Sequence, residues 1–313
     1  MTPPSPHPAP RIPAAEHAID ADLVRALLAE QRPELARLPI ALASEGWDNA
    51  IFRLGGELAV RLPRRQLGAA LLLVEQRWLP QIAPRLPLAT PAPVFAGAPG
   101  CGYPWPWSVI RWLPGASAER APLKADQGER WGAFLKALHR PAPSEAPFNP
   151  YRSIPLTERA KVSGPTLERL AAARPDLVDA RILGMWAEAL AAEADLAPAW
   201  IHADLHARNV ITEQGVLAGV IDWGDMCRGD PAMDLYSLWM VLPGAAARAA
   251  ALAAYGPVSG ATLRRARGWA IAMGAVILES AAEQDPVFAA AGERALRSLQ
   301  AEAGQAPLED GDP

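Results

Sequence analysis

Lysine is almost missing from this chain of 313 residues: it occurs at Lys124, Lys136 and Lys161, and arginine supplies every other long cation. A general coding bias accounts for the preference, since alanine is abundant too, yet nothing before position 124 can do a task that needs a lysine. Cysteine is as scarce. Cys101 and Cys227 lie far apart and match no zinc or redox spacing, so a reduced, cytoplasmic protein is expected. Histidine occurs five times, and His7 and His17 lie at the start of the chain, which leaves little for a histidine-built metal centre. No apolar run reaches the roughly 18 residues of a helical membrane span. There is no basic block, and a net charge of −4 provides no electrostatic footprint for nucleic acid.

What is present is apolar in half of its residues, enough for one large domain or two lobes sharing a cleft. Residues 1–15, proline-rich and without an apolar segment, read as a disordered tail and not as a signal peptide; residues 305–313 read as a polar tail. "IDADLVRALLAEQ" is amphipathic with Asp20 near its start, which predicts a first helix. "LPIALAS", "NAIFRLGG" and "ELAVRLPR" predict three antiparallel strands, with Gly55-Gly56 as a hairpin signal. A helix over "LGAALLLVEQRWLPQIA" and strands over "APVFAG" and "WSVIRWL" complete a five-stranded sheet, which Pro114-Gly115 ends. Beyond it, "DQGERWGAFLKALHR", "ARILGMWAEALAAE", "PAMDLYSLWMVL", "RRARGWAIAMGAVILESAAE" and "PVFAAAGERALRSLQ" predict helices. The class is α+β, with a small antiparallel β-rich lobe over 16–113, a larger helical lobe over 114–304, and a cleft between them as the ligand site.

One stretch inside the helical lobe, "IHADLHARNVITEQGVLAGVIDWGD" from Ile201 to Asp225, gathers two histidines, three aspartates and an asparagine. It admits a metal site, a phosphoryl-transfer site or a well-capped turn. His202, Asp204 and His206 alternate like hydrolase ligands, but the further histidines such a site needs are missing. Phosphoryl transfer needs a carboxylate near the acceptor hydroxyl and hard oxygen ligands for magnesium. Asp204 supplies the first; Asn209 and Asp222 supply the second. "NVIT" and "VLAGVI", joined by a turn at Gln214-Gly215, form a hairpin that brings Asn209 and Asp222 to neighbouring ends of one ribbon.

These residues carry a resemblance. The spacing of Asp204 and Asn209 is that of the H-x-D-x-x-x-x-N loop of protein kinases, and Asp222 precedes Trp223-Gly224 where kinases have Asp-Phe-Gly. "HADLHARN…IDWGDMCRGDPAMDL" resembles the aminoglycoside phosphotransferase family, whose pattern is H-G-D-L-H-x-x-N, then I-D-[FW]-x-x, then G-D-P-x-x-D-L. The resemblance runs upstream through "EGWDNAIFRLGGELAVRLPRR", "VEQRWLP" and "WSVIRWLPG", covering roughly residues 40–285. It implies a protein-kinase-like two-lobe fold, a choline kinase-like small-molecule chemistry, ATP or GTP as phosphoryl donor, and Mg2+.

The resemblance implies roles residue by residue. Asp204 orients or accepts the acceptor proton, and Asn209 and Asp222 hold the metal. Kinases place a lysine on the third strand; the matching position here is Arg61, whose expected partner is Glu75 on the inserted helix, the bland alternative being a surface ion pair. "SEGWDNAIF" fills the place of the phosphate-covering loop, with Ser44 and Asn49 as possible donors. Backbone groups of Arg111 and Leu113 are expected at the base edge. Asp230-Pro231 reads as a helix start, with Asp234 a structural aspartate one turn inside, and His202 as loop support; the role of His206 stays open.

The acceptor is not legible. Asp225 is the better candidate for binding a cationic substrate such as an aminoglycoside; Glu279, Glu283 and Asp285 are candidates whose bland reading, a solvated helix face, is stronger. Trp239, Met240, Trp269 and Met273 suit a macrolide pocket or, more simply, the core. The expected function is small-molecule O-phosphotransfer onto a hydroxyl, with antibiotics among the possible acceptors. The alternative is a kinase-like, nucleotide-binding regulatory module without turnover, for which Arg61 is the best support.

Overall fold

A computed structural model describes residues 13–281 and 285–303. Most of the two expected tails, and Glu283, lie outside the described residues. The end of the N-terminal tail is held against the small lobe: Arg64 Nη1 donates to the Pro13 carbonyl at 3.1 Å.

The first helix, α1 (Ala21–Gln31), starts where Asp20 accepts from the Leu23 amide at 2.8 Å, as an N-cap should. Strands β1 (Ile40–Glu45), β2 (Asn49–Leu54) and β3 (Leu58–Pro63) follow, then α2 (Gln66–Ile82), β4 (Pro93–Gly97) and β5 (Trp107–Arg111). They form one antiparallel five-stranded sheet of order β1-β2-β3-β5-β4. Alternation along the strands sorts the two faces. Phe52, Leu54, Val60, Leu62 and Val109 point at Val24, Leu27 and Leu28 of α1 to make the small core. The opposite face carries Arg61 and receives α2, whose Gln76 donates to the Trp107 carbonyl at 2.8 Å. The far end of α2 belongs to the other lobe: Trp78, Leu79 and Ile82 join the larger core, with Trp78 5.1 Å from Trp200, ring to ring.

The chain leaves the sheet at Trp112, whose amide still bonds to the Glu57 carbonyl at 2.8 Å, and crosses at Gly115, where φ is +115°. Here glycine is required twice over, since a Cβ would run into the Thr212 carbonyl. Beyond lie β6 (Ala116–Ser117), α3 (Gly128–Leu138), α4 (Leu156–Ala173), α5 (Ala180–Ala191), β7 (Ala199–Ile201), β8 (Val210–Glu213), β9 (Val216–Val220), β10 (Cys227–Gly229), α6 (Ala232–Leu235), α7 (Ser237–Met240), α8 (Ala245–Tyr255), α9 (Gly260–Ala281) and α10 (Pro286–Ala303). Helix α9 is buried along most of its length, with α4, α5, α6 and α10 packed around it. The β8–β9 hairpin turns at Gln214 and Gly215, both at positive φ (53° and 80°), which matches a primed hairpin turn.

Three features differ from expectation. "PAMDLYSLWMVL" is two short helices, α6 and α7, because the Trp239 amide bonds three residues back to Tyr236 and interrupts the ladder. Helix α4 escaped notice because its buried stripe includes Arg159, Ser163 and Thr166 as well as leucines, and because Gly164-Pro165 sits inside it. Helix α8 is so rich in alanine that it offers no apolar contrast to read.

Helices α3 and α8 approach so closely that Gly128 and Gly132 face the carbonyls of Ala247 and Ala251. Replacing Gly132 by alanine raises helix propensity but drives a methyl into the Ala251 carbonyl. The expected net effect is a loss of about 1–3 kcal/mol, read as a lower midpoint in chemical denaturation.

Candidate active site

Strand β7 delivers the chain into the loop 202–209, and one buried carboxylate receives it. Asp234, fully buried, accepts from the amides of His202 at 2.7 Å and Ala203 at 2.8 Å, and lies 3.3 Å from His139 Nε2. Ala203 thereby sits at φ +71°, a left-handed conformation, at the position where the family pattern quoted above has glycine. His202 then links the loop to the end of β9. Its Nδ1 accepts from the Asp204 amide at 3.2 Å, so Nε2 is the donor to the Ile221 carbonyl at 3.0 Å. Its ring lies 4.6 Å from that of buried Trp223.

Asp204 is held on several sides. Asn209 Nδ2 donates to its Oδ2 and to its main-chain oxygen, each at 3.0 Å; His206 Nε2 is 3.2 Å from Oδ2; Arg152 Nη2 is 3.4 Å from Oδ1. Burial pushes the Asp204 carboxyl up, but His206, Arg152 and His202 outweigh it and hold the group well below the usual carboxylate range. The surroundings therefore favour the ionised side chain.

The hairpin brings Asn209 and Asp222 together, with the Ile221 amide bonded to the Asn209 carbonyl at 2.9 Å. Asp222 sits at φ +63°, half exposed. Because Asn209 spends its amide nitrogen on Asp204, its Oδ1 is left without a protein donor among the described residues. One carboxylate and one amide oxygen are a hard, incomplete donor set. It fits Mg2+, which takes one or two protein oxygens and fills its shell from phosphate and water. A histidine-rich metal centre does not fit: among the described residues no group of three histidine, cysteine or carboxylate side chains is placed to hold an ion.

From the small lobe, Arg61 reaches across. Its Nη1 bonds to Glu75 at 2.5 Å and its Nη2 to Asp222 at 3.0 Å. Glu75 is fully buried, so this is not a surface ion pair. Burial works against the guanidinium charge, and Glu75 and Asp222 more than offset it, leaving Arg61 firmly cationic. With its amide oxygen turned inward, Asn49 accepts from Arg61 Nη2 at 2.9 Å and Nε at 3.2 Å. Asn49, expected as a phosphate donor, thus lies against Arg61. Ser44 is exposed near the tip of the β1–β2 hairpin. That tip is backed by cations: Arg64 Nη1 donates to the Gly46 carbonyl at 2.9 Å and Arg65 to Asp48 at 2.7 Å. At the lobe junction the Trp112 amide points to β3, so the backbone groups of Arg111 and Leu113 face away from that strand.

The acceptor candidates separate. Asp225 lies in the cluster, its carboxyl raised by burial and by Asp204, with Asn149 Nδ2 donating to it at 2.8 Å. Glu279 does not join: its oxygens go to Arg169, at 2.8 and 2.9 Å, and to Thr166. Asp285 caps α10 and pairs with Arg208 at 2.8 Å. Trp239, Met240, Trp269 and Met273 are buried in the large core. Sequence reasoning missed Arg152, Asn149 and Tyr236. The signal for Asn149 and Arg152 was "FNPYRS", a turn-rich segment between helices, of the kind that carries function on a rigid scaffold.

Asp234→Ala would leave two buried amides and His139 without their acceptor. The expected cost is about 2–4 kcal/mol, measured by chemical denaturation, with the loop's amide protons losing protection in hydrogen exchange before those of α9.

The model of the phosphotransferase enzyme family matches residues 39–269. Solved structures share the fold. The GDP complex of wild-type aminoglycoside 2'-phosphotransferase-IIIa superimposes with a TM-score of 0.65 at 20% identity, covering 91% of this chain and 99% of that one. The ADP-bound aminoglycoside phosphotransferase APH(2'')-Ib gives 0.58 at 17%, covering 91% and 99%. The apoenzyme of macrolide 2'-phosphotransferase MphH from Brachybacterium faecium gives 0.56 at 22%, covering 88% and 97%. A comparison with curated proteins returned no match. Matched by the family model over most of its length, and by these folds over nearly all of it, the chain belongs to the phosphotransferase enzyme family and has its protein-kinase-like fold.

Proposed function

We propose that the protein transfers the γ-phosphoryl group of a nucleoside triphosphate to a hydroxyl of a small molecule, with Asp204 at the acceptor. The observation that carries this is the convergence of Asp204, Asn209 and Asp222 on one loop and hairpin, with Arg61 reaching Asp222 from the other lobe at 3.0 Å. The acceptor oxygen forms the new bond to phosphorus, the bond to the β-phosphate oxygen breaks, and nucleoside diphosphate leaves. The hydroxyl proton passes to Asp204. A carboxylate held this far down is a weak base, which suits a largely dissociative transfer where its work is to orient the hydroxyl. Asn209 and Asp222 would hold Mg2+, which supplies charge neutralisation to the phosphates.

Arg61 would bind the α- and β-phosphates, its planar fork replacing a lysine point charge. GDP and ADP occupy the related structures, so a purine donor, ATP or GTP, is the reading for this chain. Those relatives act on aminoglycosides or macrolides, which makes a hydroxylated antibiotic one acceptor class to test. One observation favours a second reading, a nucleotide-binding module without turnover: Arg61 is itself tied to Asp222, so binding must rearrange that pair.

Asp204→Asn is expected to lower kcat about 10²–10⁴-fold, with nucleotide affinity by calorimetry almost unchanged. A variant that kept full turnover would remove Asp204 from this role. Asp222→Ala is expected to abolish the Mg2+ dependence of nucleotide binding, read by titrating ATP or GTP with and without the metal; retained Mg2+ dependence would place the metal elsewhere.

A further inference from the structure

Among the buried arginines, Arg61, Arg64, Arg248 and Arg265 each donate side-chain hydrogen bonds to protein acceptors. Arg159, 8% exposed in the first turn of α4, does not: its Nε is enclosed without a partner, and its guanidinium meets no carboxylate among the described residues. Seven residues earlier, Arg152 is also mostly buried, its side chain 15% exposed, and poorly served. Its Nη2 reaches Asp204 only at 3.4 Å, and its Nη1 faces the Met273 sulfur at 2.9 Å, a weak acceptor. The two cations repel: burial and Arg152 together lower the pKa of Arg159. Two underpaired guanidiniums, one of them on the carboxylate proposed to meet the acceptor, are costly to stability.

Their place in the cleft decides what they face. Arg61, on the nucleotide side, is consumed by Glu75 and Asp222. Arg152 lies across Asp204 from it, in the turn Asn149–Ser153, which is closed by the Asn149 amide on Ser153 Oγ at 2.9 Å and the Tyr151 amide on Asn149 Oδ1 at 2.9 Å. The Tyr236 hydroxyl, buried and unpartnered, feels Asp204 and Arg152 most strongly among charged groups. Two of the carboxylates that would greet a polycation are spoken for, Glu279 by Arg169 and Asp285 by Arg208, whereas Asp225 stays in the cluster within the field of Arg152.

We propose that Arg152 and Arg159 form an oxyanion subsite on the acceptor side, so that the acceptor carries a carboxylate or phosphate near its reactive hydroxyl. This rests on the phosphotransfer reading and narrows it: a polycationic aminoglycoside is a poor fit, and a hydroxy acid or phosphorylated alcohol a good one. Two forks converging on one oxyanion satisfy donors that the protein leaves open.

The test titrates the full-length protein, with Mg2+ and excess ADP present to fill the nucleotide side, with inorganic phosphate and separately with lactate, following the melting midpoint. A saturable rise is expected with at least one probe, and which one tells phosphate from carboxylate. Arg159→Met and Arg152→Met are expected to weaken it at least tenfold. Without ligand, Arg159→Met is expected to melt a few degrees higher, because it removes a buried, unpaired charge at similar volume; this also keeps the variant folded. No saturable rise in the wild type, an unchanged rise in Arg159→Met, or a lower ligand-free midpoint overturns the subsite. In parallel, phosphate transfer is compared across glycerate, glycerol 3-phosphate, glycerol and kanamycin with ATP and GTP. Preference for the anionic acceptors supports the subsite; preference for kanamycin overturns it while leaving phosphotransfer intact. Absence of transfer to any acceptor counts against phosphotransfer alone, and the titration then decides the subsite.

Discussion

The site hangs from the buried carboxylate of Asp234. Two consecutive amides, those of His202 and Ala203, donate to it, and that pins a peptide which would otherwise relax out of its left-handed turn. From this anchor the order spreads by short steps. His202 ties the loop to the Ile221 carbonyl, the strand end that carries Asp222. Asn209 turns back onto Asp204. The bonds of Asp234 and His202 lie in the buried core, where an unmade bond is expensive, so the geometry of the candidate site is inherited from the fold.

Around that anchor the charges are sorted by side. On the nucleotide side, Arg61 is saturated by Glu75, Asp222 and Asn49; it is preorganised, and a phosphate would exchange for one of its existing partners. By contrast, Arg152 reaches Asp204 only at 3.4 Å and Arg159 Nε has no partner among the described residues. The Asp204 carboxyl is held below the usual carboxylate range despite its burial.

Much of this was legible in sequence. Short β-rich runs set off by turn residues gave the five strands, the Gln214-Gly215 turn gave the hairpin, and Asp20 gave the first helix start, because each depends on neighbours a few residues apart. The match of Arg61 to Glu75 followed from the resemblance to kinases, which place a lysine at the position of Arg61. Other elements were not legible. Helix α4 buries Arg159, Ser163 and Thr166 on its inner face, so its pattern does not look apolar, and α8 has too much alanine to show a face. Asn49 looked like a phosphate donor because its position beside a hairpin tip suggested it; only the cross-strand approach to Arg61 shows what it touches.

By itself, the sequence determined the α+β class, the order of the lobes, and the grouping of Asp204, Asn209 and Asp222 on one loop and hairpin, since spacing along such a segment is local information. Tertiary structure alone decided which charges are paired. Glu279 is paired with Arg169, Asp285 with Arg208, and Arg159 is buried with no carboxylate partner among the described residues. Pairing depends on which helices pack side by side, often a hundred residues apart in the chain, and on how much water is excluded between them; neither is written in the spacing of any one segment.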